Sequence, residues 1–208
     1  MALLYYITDR SVLGEDDASR RQRLLEKLGE AAAAGVDHVQ LRERDLPASA
    51  LEALADGVLR RLAGSRTRLL INSRLDVALA VGAQGVHLRA EDIGPADARR
   101  TCERAQRPEM LIAVSCHSPE DAAQAAREGA DFAVFGPVFK KEGNRGQGVN
   151  RLREAVDRAG RMPVLALGGV TLGNAGQCLA VGAAGIAGIR LFQENRIEDT
   201  VSELRDLP

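Results

Sequence analysis

Apolar runs of strand length recur along this chain, and that rhythm limits the fold more than any single residue does. The runs are LLYYIT (3–8), HVQL (38–41), LLIN (69–72), GVHL (85–88), LIAVS (111–115), FAVFG (132–136), VLALGG (164–169) and GIAGI (185–189). Several are nearly continuous Val, Ile, Leu and Ala, the pattern of parallel strands that are dry on both faces. Alanine-rich amphipathic stretches such as RRQRLLEKLGEAAAAG and ASALEALADGVLRRLAG separate them. Four connections end in glycine before the next strand, at Gly35, Gly82, Gly129 and Gly182. Glycine after a helix supplies the left-handed backbone that ends it. Eight such strands alternating with about eight helices predict an α/β protein, a single (β/α)8 TIM barrel over residues 1–208. An open doubly wound sheet is the rival, weakened by the lack of a GxGxxG after the first strand.

Composition narrows the function. A formal charge of −1, with 45% hydrophobic and 27% charged residues, describes an ordinary soluble domain and gives no basic block for nucleic acid. No apolar run approaches the roughly 18 residues of a membrane span, so no membrane partner is expected. The opening MALLYYITDR is too short and too polar for a signal peptide. Cys102, Cys116 and Cys178 are odd in number and lack CxxC spacing, which argues against disulfides and structural zinc and for a reducing cytoplasm. A homo-oligomer is left open.

In a barrel the chemistry belongs at the C-terminal ends of the strands. Strand two runs into HVQLRERD, where period two sets His38, Gln40, Arg42 and Arg44 on one face. Such a face is costly at a barrel mouth unless it meets an anion or a carboxylate. It reads either as a substrate-binding face or as a salt-bridge ladder with Glu43 or Asp45. Strand three ends in Asn72-Ser73-Arg74, and strand four in His87 with Arg89, Glu91 and Asp92 behind it. Strand five ends Ser115-Cys116-His117. Ser118 is then placed to cap the next helix, with Pro119 in its first turn and Asp121 completing a capping box. His117 is thereby expected at the mouth beside a helix N-terminus, where neutral imidazole is favoured. The stretch GPVFKKEGNRGQG (136–148) reads as a mobile, hydrogen-bonding flap. Gly168 and Gly169 after strand seven, with Ile189 and Arg190 after strand eight, form the expected phosphate-binding loops.

Taken together, VQLRER (39–44), INSRLDVAL (71–79), GVHLRAED (85–92), VSCHS (114–118), DFAVFGPVF (131–139) and VLALGGVT (164–171) resemble the thiamin phosphate synthase and TenI-like thiazole tautomerase family over nearly the whole chain. The resemblance implies a (β/α)8 barrel and a small phosphorylated thiazole as ligand. In the synthase branch a hydroxymethylpyrimidine diphosphate is joined to a thiazole phosphate, diphosphate is released, and magnesium is used. Gln40 and Arg42 match that branch's QxRxK motif, with Arg44 in place of lysine. Asn72 and Arg74 match its Asn-Asp-Arg motif, but Ser73 replaces the aspartate that helps bind magnesium. His87 and Asp92 match HxGQxD, with Arg89 and Ala90 in place of glycine and glutamine. After Phe139, Lys140 and Lys141 stand where the branch carries Thr-x-Thr-Lys.

These losses fall on the magnesium end of the reaction, since magnesium wants hard, charged oxygen ligands. The expected function is therefore TenI-like tautomerisation of a thiazole carboxylate phosphate. His117 would shuttle the proton, and no cofactor would be needed. Gln40, Arg42, Arg44, Asn72, Arg74, His87, Arg89 and Ser115 would bind substrate, and Gly168, Gly169, Ile189 and Arg190 would bind phosphate. The alternative is thiamin phosphate synthase with magnesium at Asp92. A third reading is a non-catalytic thiazole-phosphate-binding regulator.

Overall fold

The computed structural model describes residues 1–140 and 145–207. The chain forms β1 (Leu3–Ile7), a 3-10 turn (Arg10–Val12), α1 (Asp17–Ala34), β2 (His38–Leu41), α2 (Ala48–Leu62) and β3 (Arg68–Asn72). It continues through α3 (Leu75–Ala80), β4 (Gly85–Leu88), α4 (Pro95–Arg104), β5 (Leu111–Cys116), α5 (Pro119–Arg127) and β6 (Phe132–Phe135). It ends with α6 (Val149–Ala159), β7 (Val164–Ala166), α7 (Leu172–Ala180), β8 (Gly185–Gly188), α8 (Arg190–Gln193) and α9 (Ile197–Arg205). Each strand pairs in parallel with the next, and β8 returns to β1, so the sheet closes into the expected barrel. In its registers Tyr5 lies opposite His38 and Ala187, Asn72 opposite His87, and Cys116 opposite Phe135.

Closure explains the near-continuous apolar strands. Tyr5, Ile7, Leu70, Ala113, Phe132, Val134, Leu165 and Ala187 alternate inward and pack on one another in the barrel. Their neighbours Leu4, Tyr6, Val39, Leu41, Leu69, Ile71, Val86 and Leu88 face outward, where the helices cover them. Each fully buried Leu or Ile contributes roughly 1.5–3 kcal/mol relative to exposure, which makes this double burial the main source of stability.

The helix ends follow their sequence cues. Gly35, Gly82, Gly129 and Gly182 all adopt positive φ, at 84°, 68°, 80° and 96°. Ser118 and Asp121 form the reciprocal capping box at the start of α5, an arrangement whose N-cap is worth about 1 kcal/mol. The seventh apolar run is shorter as a strand than its sequence suggests. Pairing stops at Ala166, because Gly168 and Gly169 turn to φ 93° and 65°. Of the flap expected over 136–148, residues 141–144 lie outside the described residues. Its described ends are held by the backbone, Val138 N to Leu167 O at 2.8 Å and Gly148 N to Val138 O at 2.8 Å.

The barrel interior is not wholly apolar. His38 stacks on Phe132 with ring centroids 5.3 Å apart, and its Nδ1 has no partner among the described residues. His87 is 2% exposed and lies 3.1 Å from the Tyr5 hydroxyl. Burial lowers the His38 pKa to about 4 and that of His87 to about 3, from an ordinary 6.5. Both are therefore neutral in the folded protein at pH 5, whereas the unfolded chain protonates them. Stability is fully present above 6.5 and falls as pH drops toward these folded values. Urea unfolding at pH 5 should show a loss of about 2 kcal/mol per histidine relative to pH 7.5. A His87→Gln variant should lose correspondingly less over the same interval.

Candidate functional site

At the end of β2 the alternation seen in the sequence continues beyond the strand. Glu43 turns back under the sheet, where it accepts from Thr8 Oγ1 at 2.5 Å and from Arg10 N and Nη1 at 3.1 and 3.2 Å. The Arg10 guanidinium, 5% exposed, also grips Asp45 at 2.7 and 2.8 Å and Asp17 at 3.0 Å. The salt-bridge ladder considered for Arg42 and Arg44 thus exists, but Arg10 takes both carboxylates. Arg42 is half-buried; its backbone N–H donates to Thr8 Oγ1 at 2.9 Å, and its guanidinium has no partner among the described residues. Burial, followed by the charges of Arg44 and Arg89, lowers its pKa, with Asp9 and Glu43 opposing. Arg44 is exposed beside it. Among the described residues neither guanidinium forms an ion pair, although Asp9 and Glu43 lie near Arg42.

The ends of β3 and β4 meet in one closed network. Ser73, at φ 60°, donates its backbone N–H to His87 O at 2.8 Å. A left-handed backbone is costly for any residue with a Cβ, and such strain clusters at functional sites. The Ser73 hydroxyl accepts from Asn72 Nδ2 at 3.1 Å and from Arg89 Nε at 2.8 Å. Asp92 accepts from Arg89 N at 2.7 Å and from Arg89 Nη2 at 3.2 Å. Burial raises the Asp92 pKa, but hydrogen bonds from the Arg89 backbone, Ser73 and the Arg89 side chain outweigh it and hold the carboxylate ionised. Arg74 stands apart from this network, paired with exposed Asp76 at 2.5 Å.

That network does not suit magnesium. The position that would carry a second carboxylate is a serine, and both Asp92 oxygens already bind Arg89. A divalent ion at Asp92 would meet a guanidinium 3.2 Å from the same carboxylate. No group of three or more His, Cys, Asp or Glu suited to a metal occurs among the described residues.

His117 leaves β5 at the mouth and is exposed. Its backbone N–H donates to Asp121 Oδ2 at 2.8 Å, so the capping box also anchors it. Its Nδ1 lies 2.8 Å from Gly136 O. A carbonyl can only accept, so Nδ1 carries a proton, and whenever the ring is neutral Nε2 is the nitrogen with the lone pair. Ser115 lies one turn of alternation earlier and faces inward, 2.8 Å from His87 Nε2. His87, expected to touch substrate, lies beneath the floor and reaches the mouth through Ser115.

The β7 and β8 loops form the other half of the mouth. Gly168, Gly169, Ile189 and Arg190 line one cavity of about 680 Å³ with Asp9, Thr171 and Gly188, so the expected phosphate set is brought together. The glycine pair has a packing reason as well. A Cβ on Gly168 would come within 2.6 Å of Pro137, and one on Gly169 within 2.9 Å of Phe139. Arg42, Arg89 and His117 lie outside this cavity's lining. Sequence reading missed Tyr5, Thr8 and Arg10, and named Glu43 only as a partner for the strand-two arginines, not for Arg10. All four side chains act from below the mouth.

The site thus combines a glycine-lined cavity with a cationic rim at the mouth of a (β/α)8 barrel. The chain belongs to the thiamine monophosphate synthase family, whose model matches residues 4–192. It is 44% identical over 188 residues to a putative thiamine-phosphate synthase of Geobacter sulfurreducens, covering 88% of this chain and 83% of that one. It is 39% identical over 194 residues to putative thiamine-phosphate synthase 2 of Aquifex aeolicus, covering 92% and 97%. The solved thiamine phosphate pyrophosphorylase of Pyrococcus furiosus superimposes with a TM-score of 0.83 at 30% identity, over 99% of this chain and 95% of that one.

The Arg10–Glu43 pair underlies the cationic rim. Glu43→Ala leaves a buried guanidinium short of charge and should cost about 3–5 kcal/mol in urea unfolding. Asp45→Asn, at a position whose side chain is 69% exposed, should cost about 1 kcal/mol.

Proposed function

We propose that this chain is a thiamin-phosphate synthase, joining a hydroxymethylpyrimidine diphosphate to a thiazole phosphate with guanidinium charge where magnesium would otherwise act. Its relatives' names support this alternative over the tautomerase that the motif losses suggest. The observation that carries it is Arg42, a half-buried cation with no ion-pair partner among the described residues, close to Arg44 and Arg89. Release of diphosphate builds negative charge on the leaving oxygens, and cations already fixed there stabilise that charge without reorganising. The glycine loops would hold the thiazole phosphate through backbone N–H groups. Three buried, unpaired cysteines suit a reducing cytoplasm.

One observation favours the second reading, tautomerisation without a metal. His117 has a backbone-fixed tautomer and a free Nε2, the arrangement of a single group that takes and returns a proton.

Parallel turnover assays on the synthase pair and on the non-aromatic thiazole tautomer, each with magnesium and with EDTA, separate the readings. The expected result is thiamin phosphate formation that survives EDTA and falls about 100-fold in Arg42→Gln. Aromatisation that His117→Ala abolishes, with no thiamin phosphate formed, would transfer the assignment to the tautomerase. Tight binding of thiazole phosphate without either turnover would leave the regulator.

A further inference from the structure

Below the mouth, four polar side chains form a single file through the barrel. Gln40 Nε2 donates to the Tyr5 hydroxyl at 3.1 Å, that hydroxyl lies 3.1 Å from His87 Nδ1, and His87 Nε2 lies 2.8 Å from Ser115 Oγ. Tyr5 is 0% exposed, Gln40 2% and His87 2%, so no solvent reaches the first three. Ser115 alone is half-buried at the mouth.

The direction of this file follows from counting hydrogens. The Tyr5 oxygen accepts from Gln40, and Tyr5 has one proton to give. Were His87 Nδ1 also to donate to it, the Tyr5 O–H would be left buried without an acceptor, and unmade buried hydrogen bonds cost free energy. Tyr5 therefore donates to Nδ1. Burial holds His87 far below its usual pKa, so the ring is neutral and carries its one proton on Nε2. That proton goes to Ser115 Oγ, and the serine's own proton is left to point into the mouth.

We propose that Tyr5 is a positioning residue that polarises the file Gln40→Tyr5→His87→Ser115, so that Ser115 meets the ligand as a hydrogen-bond donor. The partner it selects is an atom with a free lone pair, such as an unprotonated ring nitrogen of a heterocyclic substrate, and a ring N–H is rejected. Specificity of this kind comes from the unpaired buried group that a wrong partner leaves. The inference rests on the mouth being the ligand site, as proposed above.

The chain has three histidines, which makes their side-chain nitrogens tractable by nuclear magnetic resonance. The expected spectrum shows His87 as the neutral Nε2–H form, with the signals unchanged from pH 8 to pH 5. A His87 protonated on Nδ1 would overturn the proposal, because the file would then run the other way with Gln40 turned over. This readout needs no turnover, so its failure is distinct from failure of the functional reading. In Tyr5→Phe, which keeps the ring packing, the Nε2–H form should lose its dominance. Calorimetric titration with thiazole phosphate and with hydroxymethylpyrimidine should find at least one of them bound about tenfold more weakly by both Tyr5→Phe and Ser115→Ala. Inorganic phosphate binding should be unchanged. Unaltered affinity for both heterocycles in the two variants would also overturn it.

Discussion

Closing eight parallel strands on themselves leaves an interior too narrow for free water, so every polar side chain aimed inward must find its partner there. The rest of this molecule follows from that constraint. Most inward positions meet it by being apolar, from Ile7 through Leu165 to Ala187. Tyr5, Gln40, His87 and Ser115 meet it by satisfying one another in a file that emerges at the mouth. His38, lower in the barrel and stacked on Phe132, keeps a nitrogen unpartnered among the described residues. The floor of the site is thus rigid because it is part of the core.

Charge at the rim is divided by the same logic. Arg10 takes the carboxylates of Glu43 and Asp45 beneath the β2 exit, and Arg89 takes Asp92 beside Ser73. Glu43, Asp45 and Asp92 are thereby engaged by cations other than Arg42, while Asp9 is bound by Ser11. A half-buried guanidinium near two more is further stabilised by any anion that reaches it, which under the proposed function turns the desolvation of Arg42 into affinity for ligand. Arg89 within the Ser73–Asp92 network supplies a fixed positive charge where a divalent ion would need empty carboxylate oxygens. The glycine loops across the mouth serve a chemically different function. They bring backbone close to the cavity, and Gly168 and Gly169 also allow the β6 loop to pack against them.

Much of this was legible in the order of residues. The apolar runs, the four glycine stops and the Ser118–Asp121 capping box are local features, set by side-chain period and backbone sterics, and they appear where they were expected, save that the seventh run pairs only as far as Ala166. The motif order identified the family, and the replacements at 73 and 89 marked the part of the site that departs from it. Less legible were residues whose role depends on a partner more than thirty positions away. Arg10 and Glu43 are 33 apart and Tyr5 and His87 are 82 apart, and no local pattern announces either pair. Arg74 looked like a site residue by position, yet its neighbour Asp76 holds it at the surface.

The sequence by itself determined the barrel, the glycine stops and capping box of several helices and the set of residues at the strand ends, because period, propensity and capping act over a few residues. Tertiary structure alone decided which of those residues are free to meet a ligand. Arg42 was left without an ion pair among the described residues, Arg89 was locked to Asp92, and His87 was sunk below the floor. Those outcomes depend on which charges and hydrogens are brought within 3 Å or so by closure of the sheet, and hydrogen bonds and desolvation act only at that range.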